Sequence, residues 1–427
     1  MGLRGMMMKK ILIYTDNFYP LQGGAEINLE RIIERLIEDE YSPEVLTLFP
    51  AFSGDERNFK YPITRIISDK INRDSLENTT LSDLIWGGGQ LANKFAHRIN
   101  NDDNRPAWYV LLDNMIEYIE NNGPYFAYIG CGQFGAKQVS FMPDIVEHIK
   151  NQNPSCKTFY LDFDIYHYSN PDGKLWAGEH RIDMNPLPHI DYLISLNYHD
   201  LNHESIDNSN IKVCLPPEIK ERNEFNPNLD EWENRPYDFG FLAPIYHKGS
   251  SIVKNLLIDF PECNFLVKKP TYGTCDELDQ IYPLIAHNFD VVDWVDNMDS
   301  DFYQQCRYIL YPSLNEGYGL VPAEAILNGA IPLLNYSKSN YWVHYDNVYY
   351  IKSELNENKI PYNFDHYLNN YRVVNEAWTK EVGNILSKNN KIHLKFIKDT
   401  KNKVLKFHQD RYEKFYLKFK NLLEGNE

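Results

Sequence analysis

The chain has 427 residues, 43% of them hydrophobic and 14% aromatic, which is enough apolar material for two domains of ordinary size. Its formal net charge of −17 argues against binding to nucleic acid or anionic membranes through a broad electrostatic surface. The six cysteines lack zinc-site spacing and no apolar run is long enough to span a bilayer, so we expect a cytoplasmic protein with free thiols.

The N-terminal half begins with a predicted strand, helix and strand. Residues 10–15 form an apolar run typical of a strand, and residues 26–39 carry apolar side chains at helical spacing. A second strand is predicted at 45–49, so this βαβ unit indicates a Rossmann-like domain. The first loop ends in Gly23 and Gly24 but lacks the G-x-G-x-x-G pattern, so we do not expect a dinucleotide site.

The first half then continues with the same alternation of elements. The stretch from 53 to 124 is polar and irregular, and its two predicted helices are its main structural signal. The predicted helices lie at 81–99, 107–121 and 139–150, and the predicted strands at 125–131, 158–161, 191–196 and 211–215. We therefore expect a mostly parallel sheet with helices on both faces.

A polar, proline-containing segment at 217–236 is predicted to be the linker to a second domain. The second domain opens with a strand at 237–242, which is followed by Lys248 and Gly249. Further elements are predicted as a helix at 251–258, strands at 264–268 and 289–294, and a short helix at 300–306. Trp294 stands at the end of the second of these strands.

The most specific stretch lies between residues 307 and 334. An apolar strand at 308–311 leads into a loop at 314–320, a short helix at 322–327 and another strand at 331–334. Two loop glycines allow close approach of the backbone to a ligand, and the helix N-terminus favours an anion such as a diphosphate. This unit is therefore a candidate phosphate-binding turn of an α/β domain.

Two carboxylates flank this loop, with seven residues between them. Glu316 and Glu324 would repel a diphosphate, so we expect them to face neutral groups of the same ligand. Sugar hydroxyls are good donors to carboxylates. The loop therefore predicts a nucleotide-sugar site, with phosphates on the glycines and hydroxyls on the two glutamates.

The spacing of these residues resembles that of a known enzyme family. The pattern comprises Glu316-Gly317-Tyr318-Gly319-Leu320, Glu324-Ala325 and Gly329-Ala330-Ile331-Pro332. It is similar to the E-G-[FY]-G-L-x-x-x-E-A-x-x-x-G-x-P signature of the retaining glycosyltransferases of family 4, also called glycosyl transferases group 1. The resemblance covers most of the chain but is specific only at residues 11–26, 237–249 and 289–334.

The resemblance implies a GT-B fold, with two Rossmann-like domains of parallel strands that face each other across a cleft. The implied domains are 1–216 on the acceptor side, 237–395 on the nucleotide-sugar side, and a helix at 396–427 that packs back on the first domain. An apolar stripe along that helix is predicted from Val404, Phe407, Phe415, Phe419 and Leu422.

The resemblance also implies roles for single residues. Lys248 and the amides of Gly317, Tyr318, Gly319 and Leu320 would hold the diphosphate, Glu316 the transferred sugar and Glu324 the ribose. Trp294 would lie near the nucleobase, and Gly23 and Gly24 near the donor phosphate and acceptor. The chain departs from the family where Phe241 stands in place of an arginine, which makes Lys268, Lys269 or His247 candidate substitutes.

A second motif bears on whether the site holds a metal ion. Asp162 and Asp164, at the end of the strand at 158–161, match the Asp-x-Asp motif that holds Mn²⁺ or Mg²⁺ in GT-A glycosyltransferases. We favour a metal-free site, because the loop near Gly317 and Gly319 already supplies a diphosphate site. Asp164 and His167 are then expected to line the acceptor side.

We therefore expect a cytoplasmic enzyme that transfers a sugar with retention from a UDP- or GDP-sugar, without a further cofactor. A glycan or lipid-linked saccharide is the expected acceptor, as in polysaccharide biosynthesis. One alternative is a phage-type glycosyltransferase that acts on a hydroxylated DNA base, for which Lys94, Arg98, Arg105 and Lys137 are candidate phosphate contacts. A second alternative is a sugar-nucleotide-binding protein without catalytic activity.

Overall fold

The computed structural model divides the chain into two compact units, Met1–Leu215 with Phe415–Glu427, and Pro216–Lys414. It describes residues 9–15, 18–19, 24–48, 51, 53, 57–67, 107–131, 142–162, 190–196, 211–219, 226–242, 248–269, 288–292, 295, 297–313, 318–336, 338–353 and 364–426. Among the described helices, none is both long enough and apolar enough to cross a bilayer.

The first unit contains a seven-stranded sheet in the order β3-β2-β1-β4-β5-β6-β7. Its strands are β1 Lys10–Thr15, β2 Ser42–Thr47, β3 Ile63–Arg65, β4 Ala127–Cys131, β5 Lys157–Asp162, β6 Tyr192–Ser195 and β7 Ile211–Cys214. Its described helices before the C-terminal segment are α1 Gly24–Glu38, α2 Ala107–Asn122 and α3 Met142–Gln152. Every pairing between these strands is parallel.

The second unit contains a six-stranded parallel sheet in the order β10-β9-β8-β11-β12-β13. Its strands are β8 Tyr237–Leu242, β9 Phe265–Lys268, β10 Phe289–Val292, β11 Cys306–Tyr311, β12 Ile331–Asn335 and β13 Tyr349–Ile351. Its described helices are α4 Leu229–Glu233, α5 Ser250–Asp259, α6 Met298–Asp301, α7 Leu320–Leu327, α8 Lys338–His344, α9 Phe364–Leu386 and the first part of α10 Asn390–Leu423. Two parallel-sheet Rossmann-like domains are thus confirmed.

The central strands of both sheets are buried on both faces, which explains their apolar runs. In β11, Tyr308 and Leu310 belong to one core cluster, whereas Ile309 on the other face packs in a second cluster. A parallel strand buried on both faces has no polar side to show as alternation. Such runs therefore predict the strands from the sequence, with bounds that differ from the observed ones by a few residues.

The segment predicted as a linker contains an ordered helix of the second unit. Asn228 and Glu231 form a reciprocal capping box at the start of α4. Trp232 is fully buried in the second core and contacts Tyr308 edge to face, with ring centroids 5.6 Å apart. The part of 217–236 around α4 therefore packs as part of the second core.

The helix α10 contributes residues to both units, since the first unit includes Phe415–Glu427. Of the predicted apolar stripe, Val404, Phe419 and Leu422 are buried, whereas Phe407 and Phe415 are only half-buried. The buried positions between Val404 and Phe419 are occupied by His408, Tyr412 and Tyr416. The buried face is thus more polar than hydrophobic spacing predicts.

The C-terminal residues are an integral part of the first unit. The Phe419 ring meets Phe159 of β5 edge to face at 5.3 Å between centroids. Lys420 pairs with Asp39 at 2.9 Å, and the Glu424 carboxylate accepts hydrogen bonds from Lys9 and Tyr41. A core contact and three polar contacts therefore attach this segment to the first sheet and to the end of α1.

We expect Phe419→Ala to destabilise the first unit by about 3–5 kcal/mol, because it leaves a cavity against Phe159. Leu417→Ala is the matched control, since Leu417 lies on the same helical turn but is 59% exposed; its effect should stay within about 0.5 kcal/mol. Amide hydrogen exchange in β1 and β4 measures the stability of this unit. Equal protection in the two variants would contradict the attachment.

Candidate functional site

The second sheet has its topological switch point between β8 and β11. The chain leaves β8 through α5 to β9 on one side, and leaves β11 through α7 to β12 on the other side. Ligands of doubly wound sheets bind at such a point, outside the carboxyl ends of the strands. The two helix N-termini that follow β8 and β11 are therefore the candidate site.

Both helices begin at a left-handed glycine. Gly249 caps α5 with φ +84° and Gly319 caps α7 with φ +68°, and neither helix has a side-chain hydrogen bond at its cap. The first N–H groups of a helix need partners from outside the helix, and together with the helix dipole they favour an anion. Two such termini at one switch point suit a ligand with two phosphates.

Close packing at the end of β11 explains why glycine occupies both caps. A Cβ on Gly249 would lie 2.8 Å from the carbonyl oxygen of Pro312, and a Cβ on Gly319 would lie 2.6 Å from the Tyr311 hydroxyl. Both helix N-termini therefore lie against the last residues of one strand and the residue after it. A larger residue at 249 would have to displace Pro312, and one at 319 would have to displace the Tyr311 side chain.

Lysines stand just before α5 and at the end of β9. Lys248 directly precedes Gly249 and is half-buried. Lys268 is the last residue of β9, and its partner in the neighbouring strand is Leu242, at the end of β8. The carboxyl end of this sheet therefore carries positive charge from two neighbouring elements.

Phe241 belongs to the interior of the second unit. It is 2% exposed and lies in the same core cluster as Phe239 and Trp232. An arginine at this position of this chain would be buried among apolar side chains, which costs several kcal/mol without a partner. This strand position therefore carries no cation. Two of the candidate substitutes, Lys268 and Lys269, lie at the end of the neighbouring strand β9.

Glu324 lies in the second turn of α7, where only 9% of the residue is exposed. Its Oε2 accepts a hydrogen bond of 2.9 Å from the hydroxyl of Tyr303, which is fully buried. Tyr303 belongs to the short 3₁₀ helix Tyr303–Gln305. This tyrosine orients the carboxylate, and it was missed because nothing in its sequence position links it to a glutamate 21 residues later.

The side chain of Tyr318 points into the protein. It is 3% exposed, and its hydroxyl forms a hydrogen bond of 2.6 Å with Nδ1 of His408. Any contact between residue 318 and a ligand must therefore come from its backbone. Together with Gly319 and Leu320, it presents main-chain N–H groups at the start of α7.

Several predicted site residues lie outside the described part of the chain: Gly23, Asp164, His167, Trp294, Glu316 and Gly317. His247 and the basic candidates Lys94, Arg98, Arg105 and Lys137 also lie outside it. Gly24 is the first residue of α1, and Asp162 is the last residue of β5. Within the described ranges, no group of three His, Cys, Asp or Glu residues is arranged to hold a metal ion.

Comparison with solved structures identifies the fold. TarM matches with a TM-score of 0.61 at 11% identity, over 99% of this chain and 100% of its own. The catalytic domain of starch synthase IV from Arabidopsis thaliana, bound to ADP and acarbose, matches with a TM-score of 0.57 at 12% identity, over 96% of this chain and 99% of its own. The chain has the GT-B fold.

A third matching structure is WaaG, a glycosyltransferase involved in lipopolysaccharide biosynthesis. It matches with a TM-score of 0.56 at 14% identity, over 97% of this chain and 100% of its own. A point mutant of S. aureus TarM was solved in complex with fondaparinux, α-GlcNAc-glycerol and UDP. No protein-family model matches the chain. No curated protein sequence matches it either.

We expect Gly319→Ala to destabilise the second unit by about 1–3 kcal/mol, because alanine disfavours a positive φ and its Cβ would collide with Tyr311. Gly383→Ala in α9 is the control, since its Cβ would meet nothing closer than 3.9 Å. That substitution should leave stability unchanged or raise it by about 0.5–1 kcal/mol. Thermal and denaturant unfolding of both variants measure the difference, and equal stability would contradict the close approach.

Proposed function

We propose that the protein is a retaining glycosyltransferase that transfers a sugar from a nucleoside diphosphate sugar to a hydroxyl acceptor, without a metal ion. A glycan or lipid-linked saccharide is the proposed acceptor. The observation that carries the proposal is the pair of glycine-capped helix N-termini at one switch point, with Lys248 beside them. Neighbours of the same fold that bind UDP or ADP support it.

The proposed chemistry requires stabilisation of the leaving group. As the bond between sugar and diphosphate breaks, negative charge grows on the diphosphate oxygens. Lys248 and the first N–H groups of α5 and α7 are fixed donors, which stabilise that charge without reorganisation. The departing phosphate can accept the acceptor's proton on the same face of the sugar, so retention needs no protein nucleophile.

The two glutamates would act on the hydroxyls of the donor. Glu324, oriented by Tyr303, is proposed to accept hydrogen bonds from the ribose, and Glu316 from the transferred sugar. The resemblance supplies the other proposed roles. Trp294 would lie near the nucleobase, Gly23 and Gly24 near the donor phosphate and acceptor, and Asp164 and His167 on the acceptor side. A net charge of −17 fits a neutral glycan acceptor better than a polyanion.

The test is a turnover assay with UDP- and GDP-sugars and hydroxyl acceptors, in which the product is analysed by NMR for the anomeric configuration. We expect transfer with retention, unchanged by EDTA. Lys248→Met should reduce kcat/KM by about 10–100-fold, because a charge-assisted contact with the leaving group is lost.

Lys254→Met is the matched control, since Lys254 lies on α5 in an exposed position. It should leave turnover within about twofold, since an exposed charge contributes little. Donor binding without turnover on any acceptor would favour a non-catalytic sugar-nucleotide-binding protein. A loss of activity with EDTA would instead favour metal ligation through Asp162 and Asp164.

Substitution of the two glutamates should change different kinetic parameters. Glu324→Gln is expected mainly to raise KM, because ribose contacts are similar in the ground state and the transition state. Glu316→Gln is expected mainly to lower kcat, because the transferred sugar changes charge and shape in the transition state. Steady-state kinetics against the donor separate the two cases, and an identical effect of both substitutions on KM and kcat would contradict these roles.

A further inference from the structure

Two histidines are buried next to the start of α7. His344 is the last residue of α8, and His408 lies in the middle of α10. Each is only 1% exposed, and their rings lie 5.8 Å apart between centroids. Neither belongs to the motif on which the proposed function depends.

Each histidine contacts a different residue at the start of α7. Nδ1 of His408 and the hydroxyl of Tyr318 form a hydrogen bond of 2.6 Å, in which both groups are buried. The His344 imidazole forms a hydrogen bond with the backbone of Gly319, the left-handed cap of the helix. Two consecutive residues are thus fixed from the interior side by two imidazoles.

Both imidazoles are neutral at physiological pH. Burial, reinforced by the positive charge of Arg411, lowers the pKa of His408 to about 3. Burial, with the nearby His408 and Arg411, lowers the pKa of His344 well below its ordinary range. The two contacts therefore hold the residues before α7 without a change of charge when the pH varies around neutrality.

A second histidine of α10 provides a comparison. His393 is also fully buried, but its Nε2 bonds the carbonyl oxygen of Ile385 at 3.1 Å and its ring stacks on Trp232. Its contacts connect two helices and the core of the second unit. A buried histidine on α10 therefore need not contact the start of α7. His408 does so through its hydrogen bond to Tyr318.

We propose that His344 and His408 are positioning residues, which hold Tyr318 and Gly319 so that the N–H groups at the start of α7 meet the donor diphosphate. The inference rests on the proposed function, because it concerns the same phosphate-binding turn. A backbone donor that is already fixed loses little conformational freedom when the ligand binds. The histidines act through the backbone of these two residues and do not touch the donor.

The test is a double-mutant cycle of Tyr318→Phe and His408→Phe, with affinity for UDP and GDP measured by calorimetry. Both substitutions keep an aromatic ring at the position, and each removes one partner of the hydrogen bond. Each should weaken binding by about three- to tenfold, which corresponds to the net contribution of one hydrogen bond. The double variant should be no weaker than the weaker single variant, since both remove the same contact.

Amide hydrogen exchange without nucleotide gives an independent measurement. Exchange at residues 318–321 should be faster in both single variants than in the wild type. His393→Phe is the matched control, since it removes a buried imidazole from the same helix; it should lower stability but leave both nucleotide affinity and exchange at 318–321 unchanged. Tyr318→Phe removes a single oxygen atom and remains informative if His408→Phe does not fold.

The outcomes separate this inference from the proposed function. If the wild type binds neither UDP nor GDP, the proposed function is wrong and the inference falls with it. If the wild type binds and Tyr318→Phe binds equally tightly, the inference alone is wrong. Equal weakening in His393→Phe, or additive losses in the double variant, would also overturn it, because either result indicates effects other than the Tyr318–His408 contact.

Discussion

The site depends on the packing of two helix starts against the end of one strand. Gly249 and Gly319 approach Pro312 and Tyr311 so closely that a methyl group on either would collide. Both caps have the left-handed conformation, and two sets of helix N–H groups stand at the same edge of the sheet. The arrangement that we propose for diphosphate binding is therefore a consequence of backbone packing, to which Lys248 adds charge.

The strand end is itself held by a buried polar network. Nδ2 of Asn335, the last residue of β12, donates to the Pro312 carbonyl at 2.5 Å, and its Oδ1 accepts from the Trp378 indole at 2.6 Å. Asn340 donates to the Asn335 carbonyl at 3.0 Å. A buried hydrogen-bond network of this kind favours one arrangement of the surrounding chain. The position of Gly249 thus depends on residues from α8 and α9, far along the sequence.

Much of the fold could be predicted from the sequence, because buried parallel strands leave apolar runs and glycines mark the turns that follow them. The strand at β11 and the start of α7 show this well. The contacts of His408 and Tyr303 could not be predicted. Apolar spacing indicates which face of an element is buried, but not which polar side chains meet across the fold. No element is predicted from the aromatic and polar segment at 336–350, which forms α8 and the first two residues of β13.

The division of α10 between the two units has a consequence for synthesis on the ribosome. Phe159 and Asp39 are made early, but their partners Phe419 and Lys420 follow only after the whole second unit, residues 216–414. At translation rates of about 5–20 residues per second, the interval is on the order of 10–40 s. During that time the edge of the first core around Phe159 lacks its natural cover, so the nascent chain presents apolar surface that a chaperone can recognise.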